Sequence, residues 1–416
     1  MTRTTIANRR SRASALCLGI AVLLAAGSAA AQSNALTRER VAQLVEASPV
    51  TRAAHADVAV ARAAADAAGA LSLENPTLTG MGGLRFNDDG RRPFVGTAAL
   101  SWPLDLFGQR GARKDAAVAE ERAVRAGGDA DRQKRLLDAF LLHATLLRDE
   151  RAVTIAEASR ALTERVLTTA RRHRAAGNAP ELDVALATLQ HGREAAAASV
   201  AAGDRDADRA RLAIVLGVTP ADAVAAGALV PEGEPPALDA LLHAAERRSD
   251  VRAAAASVLA AEARASRERA AGAPTINLLA QYERDDGANI GTVGLAVPLP
   301  ILNANTQAKA TAAAEVQSAR ARQAAVRSAA QGEVRQLYAR YEATKRTRDT
   351  LAPTATVVKE AVALALRSYE LGETDLSSVL IVQREALEAE RALLEVELSH
   401  ASAKIELLVA AGRVPK

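Results

Sequence analysis

Cysteine occurs once in the 416 residues, and aromatic side chains make up 2% of the chain. The one cysteine, Cys17, lies in an apolar stretch within a removable N-terminal segment described below. The rest of the chain therefore holds no disulfide, no thiolate metal site and no cysteine nucleophile. Aromatic rings carry much of the buried area in globular cores. With nine of them, and roughly half of the apolar residues being alanine, a thick globular core is excluded. Past residue 31 no apolar run approaches 18 residues, so that part of the chain contains no transmembrane helix.

Enzyme signatures are missing as well. There is no Walker loop, no glycine-rich nucleotide fingerprint, no H-E-x-x-H and no G-x-S-x-G. The histidines at 55, 143, 173, 191, 243 and 400 are scattered without ligand spacing. His243 and Glu246 could share a helix face, but they read as a solvated surface. Met81 is the only methionine after Met1, so no soft-metal path is visible. Glu385, Glu388 and Glu390 interleave with Arg384 and Arg391 as surface pairs. The expectation is no enzyme, no cofactor and no metal site. A charge excess of one sign is also lacking. The formal net charge is +4, and four arginines in residues 1–31 account for all of it, which leaves nothing to favour nucleic acid.

What is abundant is alanine, roughly a quarter of the chain, the strongest helix former. The first 31 residues read as a signal peptide. Arg3, Arg9, Arg10 and Arg12 form a basic region, residues 13–26 are apolar, and Ala29-Ala30-Ala31 suits cleavage before Gln32. Fourteen apolar residues are too few to span a bilayer.

The chain repeats itself at an interval of about 195 residues. Trp102-Pro103-Leu104 returns as Val297-Pro298-Leu299, Gly177 as Gly372, and Leu216-Gly217 as Ala411-Gly412, each at an offset of 195. Residues 32–216 form the first repeat, 217–239 a connector rich in Gly, Pro and Ala, and 240–416 the second repeat. Each repeat reads as a helix, a strand pair, a long helix, a tight turn and a helix. The helices expected in the first repeat are 38–72, 109–175 and 181–216. In the second they are 240–271, 304–371 with a kink at Pro353, and 376–411. At 1.5 Å per residue, 67 residues make a rod of roughly 100 Å, far beyond a globular helix. Seven-residue stripes on the last helix, Leu380-Leu387-Leu394 beside Val379-Ala386-Leu393, predict packing on more than one neighbour.

The strand pairs span 77–104 and 275–299, where the apolar period changes from 3.6 to 2. Leu78, Leu84 and Phe86 share a face in the first strand, and Phe94, Leu100 and Trp102 share one in the second. Ile276, Leu278 and Tyr282, then Val293, Leu295 and Val297, repeat this, with polar or small residues opposite. Asn87-Asp88-Asp89-Gly90 and Asp285-Asp286-Gly287 supply the turns. Two readings fit: strands of a membrane barrel with those apolar residues facing lipid, or a sheet covered by helices. Four strands cannot close a barrel, so the first requires several chains.

Several stretches carry a resemblance. They are Asn75-Pro76, Trp102-Pro103-Leu104-Asp105-Leu106-Phe107-Gly108, Ala176-Gly177-Asn178-Ala179-Pro180-Glu181-Leu182-Asp183-Val184, and Tyr369-Glu370-Leu371-Gly372-Glu373-Thr374-Asp375-Leu376. Together with the repeat they resemble the TolC family of outer-membrane efflux proteins. Val297-Pro298-Leu299-Pro300-Ile301-Leu302-Asn303-Ala304-Asn305 is similar to the CzcC-like subgroup serving cobalt–zinc–cadmium efflux pumps, whose cargo is heavy-metal cations. The resemblance implies a mainly α fold with a small β part. A homotrimer would build a 12-stranded barrel in outer-membrane lipid and a coiled-coil tunnel in the periplasm. It also implies a periplasmic adaptor docking at the tips (Gly177, Asn178, Pro180, Asp183, Gly372, Glu373, Asp375) and, through it, an inner-membrane RND-type pump.

In the best-known member, aspartates ring the tunnel mouth. The aligned positions here are the uncharged Ser378 and Ile381, and the arginine partner expected for Asp183 is replaced by Thr374. Closure would then rest on Arg384 or on an apolar ring. Each tip glycine follows a long helix, where a left-handed residue is needed, so both also read as plain helix stops. The competing class is a soluble periplasmic coiled-coil adaptor, which requires the strand pairs to be covered.

Overall fold

The computed structural model describes residues 35–413 apart from positions 72, 73, 87, 286 and 302. The expected signal peptide lies outside the described residues. The elements run α1 (Arg38–Ala47), α2 (Pro49–Ala67), β1 (Thr77–Leu84), β2 (Phe94–Leu104), α3 (Gln109–Ala175) and α4 (Glu181–Leu216). After the connector come α5 (Leu238–Ala245), α6 (Ser249–Ala270), β3 (Ile276–Asp285), β4 (Ala288–Ala296), α7 (Thr306–Leu351), α8 (Thr354–Glu370) and α9 (Leu376–Ala410). The fold is mainly helical with four antiparallel strands. The chain divides into two compact units, one of residues up to Thr51, Lys134–Leu242 and from Glu333, the other of Arg52–Gln133 and His243–Gly332.

Three of the expected helices are interrupted. The first breaks at Ser48 and stops at Ala67 rather than 72. Pro49 has no N–H for the Val45 carbonyl. The Thr51 hydroxyl takes that acceptor instead at 2.7 Å, and Ser48 Oγ accepts from Thr51 N–H at 3.3 Å. The kink expected at Pro353 is a full interruption between α7 and α8, where the Thr354 hydroxyl donates to the Leu351 carbonyl at 2.6 Å. The helix read as 240–271 is two helices. Its break has neither glycine nor proline: Arg247 and Arg248 N–H groups bond three residues back, and Arg248 turns its guanidinium onto Asp250 at 2.9 Å.

In the first unit the core joins Val41 and Val45 of α1 to Phe140, Leu146 and Leu147 of α3, Leu212 and Leu216 of α4, and Leu394 and Ile405 of α9. Burying each large side chain contributes about 1.5–3 kcal/mol. The connector is strapped onto this core. Leu36 bridges Ala225, Arg38 donates to the carbonyls of Ala228 and Leu229 at 2.5 and 2.8 Å, and Lys404 donates to Pro231 at 2.5 Å. His143 and His400 are buried here. His143 Nε2 sits 2.6 Å from the Leu36 carbonyl, and His400 stacks on Tyr341 with centroids 5.0 Å apart.

In the second unit the strands form one sheet in the order β1-β2-β3-β4. Leu100 stands between Leu78 and Ala280, Ala280 pairs with Val293, and Leu278 lies between Trp102 and Leu295. Phe94 lies across two glycines of its own face, so that a Cβ on Gly82 or Gly96 would meet its ring at 3.2 or 3.0 Å. The strands are shorter than expected at two ends. β1 stops at Leu84 and leaves Phe86 beyond it, and β4 stops at Ala296 because Pro298 and Pro300 cannot donate, leaving Val297 and Leu299 outside. Asp285, expected in the turn, is the last residue of β3 and pairs with Ala288. Alongside the sheet, Ala261 and Ala265 of α6 pack on Ala312 and Val316 of α7.

Candidate functional site: two helix tips and an exposed sheet

Both tips are built the same way. α3 ends with Gly177 at φ 77°, whose N–H bonds the Arg174 carbonyl while the Asn178 N–H bonds His173. α8 ends with Gly372 at φ 75°, with Gly372 to Tyr369 and Glu373 to Ser368. This paired pattern closes a helix only when its C′ residue is left-handed, which favours glycine. The same pair of bonds recurs at Gly217 and Gly412, so the repeat holds at the level of hydrogen bonds. A Cβ on Gly177 or Gly372 would meet no neighbour, so both tips face open space.

The next helices start differently. Pro180 is the N-cap of α4 and offers no side-chain acceptor. Asp375 is the N-cap of α9 and accepts from Ser378 N–H at 3.1 Å, from the Ser377 hydroxyl at 2.5 Å and from the Ser378 hydroxyl. Those bonds to the charged form hold its carboxyl at about 2.

The tips pack on each other through Val166, Leu167 and Ala170 of α3, Leu366 and Tyr369 of α8, and Leu376 and Val379 of α9. The His173 and Tyr369 rings are 5.3 Å apart, and Arg165 pairs with Glu370 at 3.1 Å. Burial, and after it the Asp183 carboxylate, push the Tyr369 phenol up.

Of the mouth candidates, Ser378 donates its N–H and its hydroxyl to the capping Asp375. Ile381 is 54% exposed and Arg384 is exposed beside Glu385 at 3.4 Å. These three sit on the solvent side of α9, opposite the buried Leu376, Val379, Gln383 and Ala386.

Sequence reasoning missed a buried polar chain above the tips. Gln190 and Ser159 donate to Glu194 at 2.9 and 3.0 Å, and Gln383 donates its amide to Ser159 at 3.2 Å. Gln383 Oε1 is left buried without a donor among the described residues. A glutamine inside the Val379–Leu387 apolar stripe was the available signal.

The sheet is the second feature. Its register brings Leu78, Leu84, Phe94, Leu100, Trp102, Ile276, Leu278, Tyr282, Val293 and Leu295 to one face. That face is largely bare: Leu78 is 75%, Val293 80% and Leu295 66% exposed. Thr79, Thr97, Ser101, Asn277, Gln281 and Thr292 share the other face. An apolar face of this extent marks a contact with lipid or protein. Among the described residues, the outer edges of β1 and β4 have no strand partner.

The sequence profile of the outer membrane efflux protein family matches residues 40–218 and 241–413. The chain belongs to that family. No curated protein matches it in sequence. Among solved structures, the Campylobacter jejuni CmeC outer membrane channel is 16% identical with a TM-score of 0.77, covering 90% of this chain and 85% of that one. The Vibrio cholerae outer membrane protein VceC is 19% identical with a TM-score of 0.74, covering 90% and 96%. A Pseudomonas aeruginosa membrane protein is 22% identical with a TM-score of 0.76, covering 90% of each chain. Among the described residues, no helix of this outer membrane efflux protein is long and apolar enough to cross a membrane, and no group of three or more His, Cys, Asp or Glu could hold a metal.

Proposed function

We propose that this outer membrane efflux protein is the exit duct of a tripartite pump. Three copies join β4 of one chain to β1 of the next and close a 12-stranded barrel. The bare apolar face meets lipid, the polar face lines the lumen, and the helices continue as a periplasmic tunnel. The two repeats, 32–216 and 240–416, contribute equally, with 217–239 as their equatorial link. The tip residues Gly177, Asn178, Pro180, Asp183, Gly372, Glu373 and Asp375 are the surface for a periplasmic adaptor. Through that adaptor the duct serves an inner-membrane RND-type pump exporting small substrates, heavy-metal cations in the subgroup that the Val297–Asn305 stretch resembles. Tunnel closure involves Ile381 and Arg384, the mouth candidates with free surface.

The observation that carries this reading is an open sheet with one bare apolar face and two unpaired edges. A soluble adaptor would leave that face in water at high cost, and about eight strands are the fewest that close. The test uses the near absence of cysteine, because Cys17 falls in the segment expected to be removed. Side chains must keep their faces across a strand seam. With Leu78→Cys on β1, Gly291→Cys, Val293→Cys or Leu295→Cys on β4 should yield disulfide-linked oligomers up to a trimer. Thr292→Cys and Gly294→Cys should not. A detergent-free monomer with no cross-link at any β4 position would overturn the barrel.

A further inference from the structure

The four strands contain three charged residues, Glu283, Arg284 and Asp285. Their places decide what each can do. Arg284 alternates onto the apolar face, at its turn end. Asp285 is on the polar face but is neutralised by Arg85 at 2.7 Å. Glu283 is also on the polar face, one step further into the strand. Its cross-strand neighbours are Thr97 on β2 and Ile290 on β4, and Met81 pairs with Thr97 beyond. None of these carries a charge, and among the described residues no ion pair reaches Glu283.

The basic residues of the first turn have their own contacts. Arg91 pairs with Asp89 at 3.4 Å, and the Arg92 guanidinium sits 5.2 Å from the centre of the Phe86 ring. Only two residues, 286 and 287, link β3 to β4, so that hairpin has no long loop with which to cover the wall. On this wall Asp285 is offset by Arg85, while Glu283 has no ion pair among the described residues, so its charge contributes a net field there.

We propose that Glu283 sets the charge preference of the exit. The inference rests on the barrel reading: closure by three copies puts three Glu283 carboxylates at one level of the lumen, near the turn end of the strands. Rings of acidic side chains favour cations and disfavour anions in a pore. The duct is therefore matched to cationic or neutral small solutes, and anionic cargo meets a barrier at the last step.

The experiment is reversal potential across a planar bilayer holding the purified trimer, under a KCl gradient near 0.1 M. Wild type should prefer K⁺ over Cl⁻. Glu283→Gln should lower that permeability ratio by about three- to tenfold, and Glu283→Lys should invert it, with Glu283→Asp close to wild type. In ~1 M salt the differences should fade, because screening then acts within about 3 Å. Trimer yields of all four proteins should match, since the half-buried Glu283 has no ion pair to lose among the described residues. Equal reversal potentials for wild type and Glu283→Gln would overturn the assignment while leaving the duct intact. A pure trimer that stays silent even with the mouth substitutions Ile381→Ala and Arg384→Ala added would overturn the duct, and the ring with it.

Discussion

A charge placed on either side of the sheet separates the two faces energetically. Leu100 lies in the row Leu78, Leu100, Ala280, Val293, away from the strand ends, and is 40% exposed in a single chain. In the barrel it would sit near the middle of the hydrocarbon layer. An arginine there costs about 2–4 kcal/mol. Symmetry multiplies the penalty, so three chains bear roughly 6–12 kcal/mol, as much as the whole stability of an ordinary domain. Thr97 is three residues away on the same strand but on the opposite face, directly across from Glu283. Thr97→Arg meets water and a carboxylate, and a cross-strand ion pair contributes roughly 0.2–1 kcal/mol in its favour. Leu100→Arg should therefore remove nearly all outer-membrane trimer, scored by membrane fractionation and an unboiled gel, and Thr97→Arg should leave it near the parent level. Equal yields, or the reverse order, would refute the assignment of faces.

Gly177→Val and Gly372→Val should each cost about 1–2 kcal/mol, because the backbone is left-handed there while the space around Cβ is empty. Trimer yield should survive, but export and adaptor cross-linking should fall; export at the parent rate would remove the docking role. Acid should weaken the connector strap through its histidines. Burial holds His143 and His400 at about 4, with Arg38 adding to the effect on His143 and Arg348 on His400. Their unfolded values lie near 6.5, so their contribution is whole above that pH and drains away as pH falls toward 4. Asp149, raised to about 6 chiefly by burial, works in the opposite sense, so the readout is the difference between parent and variant. The Tm of His400→Phe should gain on the parent between pH 6.5 and 4, and a constant gap across that window would show that His400 does not titrate with folding.

Features set by local chemistry were legible in the sequence. Long helices and four strands follow from period and alanine content. Gly177 and Gly372 stop their helices because the closing bonds need a left-handed residue, a demand that acts within six positions. The break between α5 and α6 was invisible for the converse reason: no glycine or proline marks it, and what holds it is the Arg248 guanidinium folded onto Asp250. In the sequence His143 and His400 are merely two of six scattered histidines, yet each is buried by partners far along the chain, Leu36 at a separation of 107 residues and Tyr341 on another helix. Periodicity does not report such contacts. Glu283 shows the same limit from the functional side. It is one of 49 acidic residues, and alternation alone puts it opposite Tyr282 and Arg284. Only the register reveals that its neighbours are Thr97 and Ile290 while Asp285 is already held by Arg85. An acid becomes a candidate filter when its surroundings fail to neutralise it, and that is a property of three strands together.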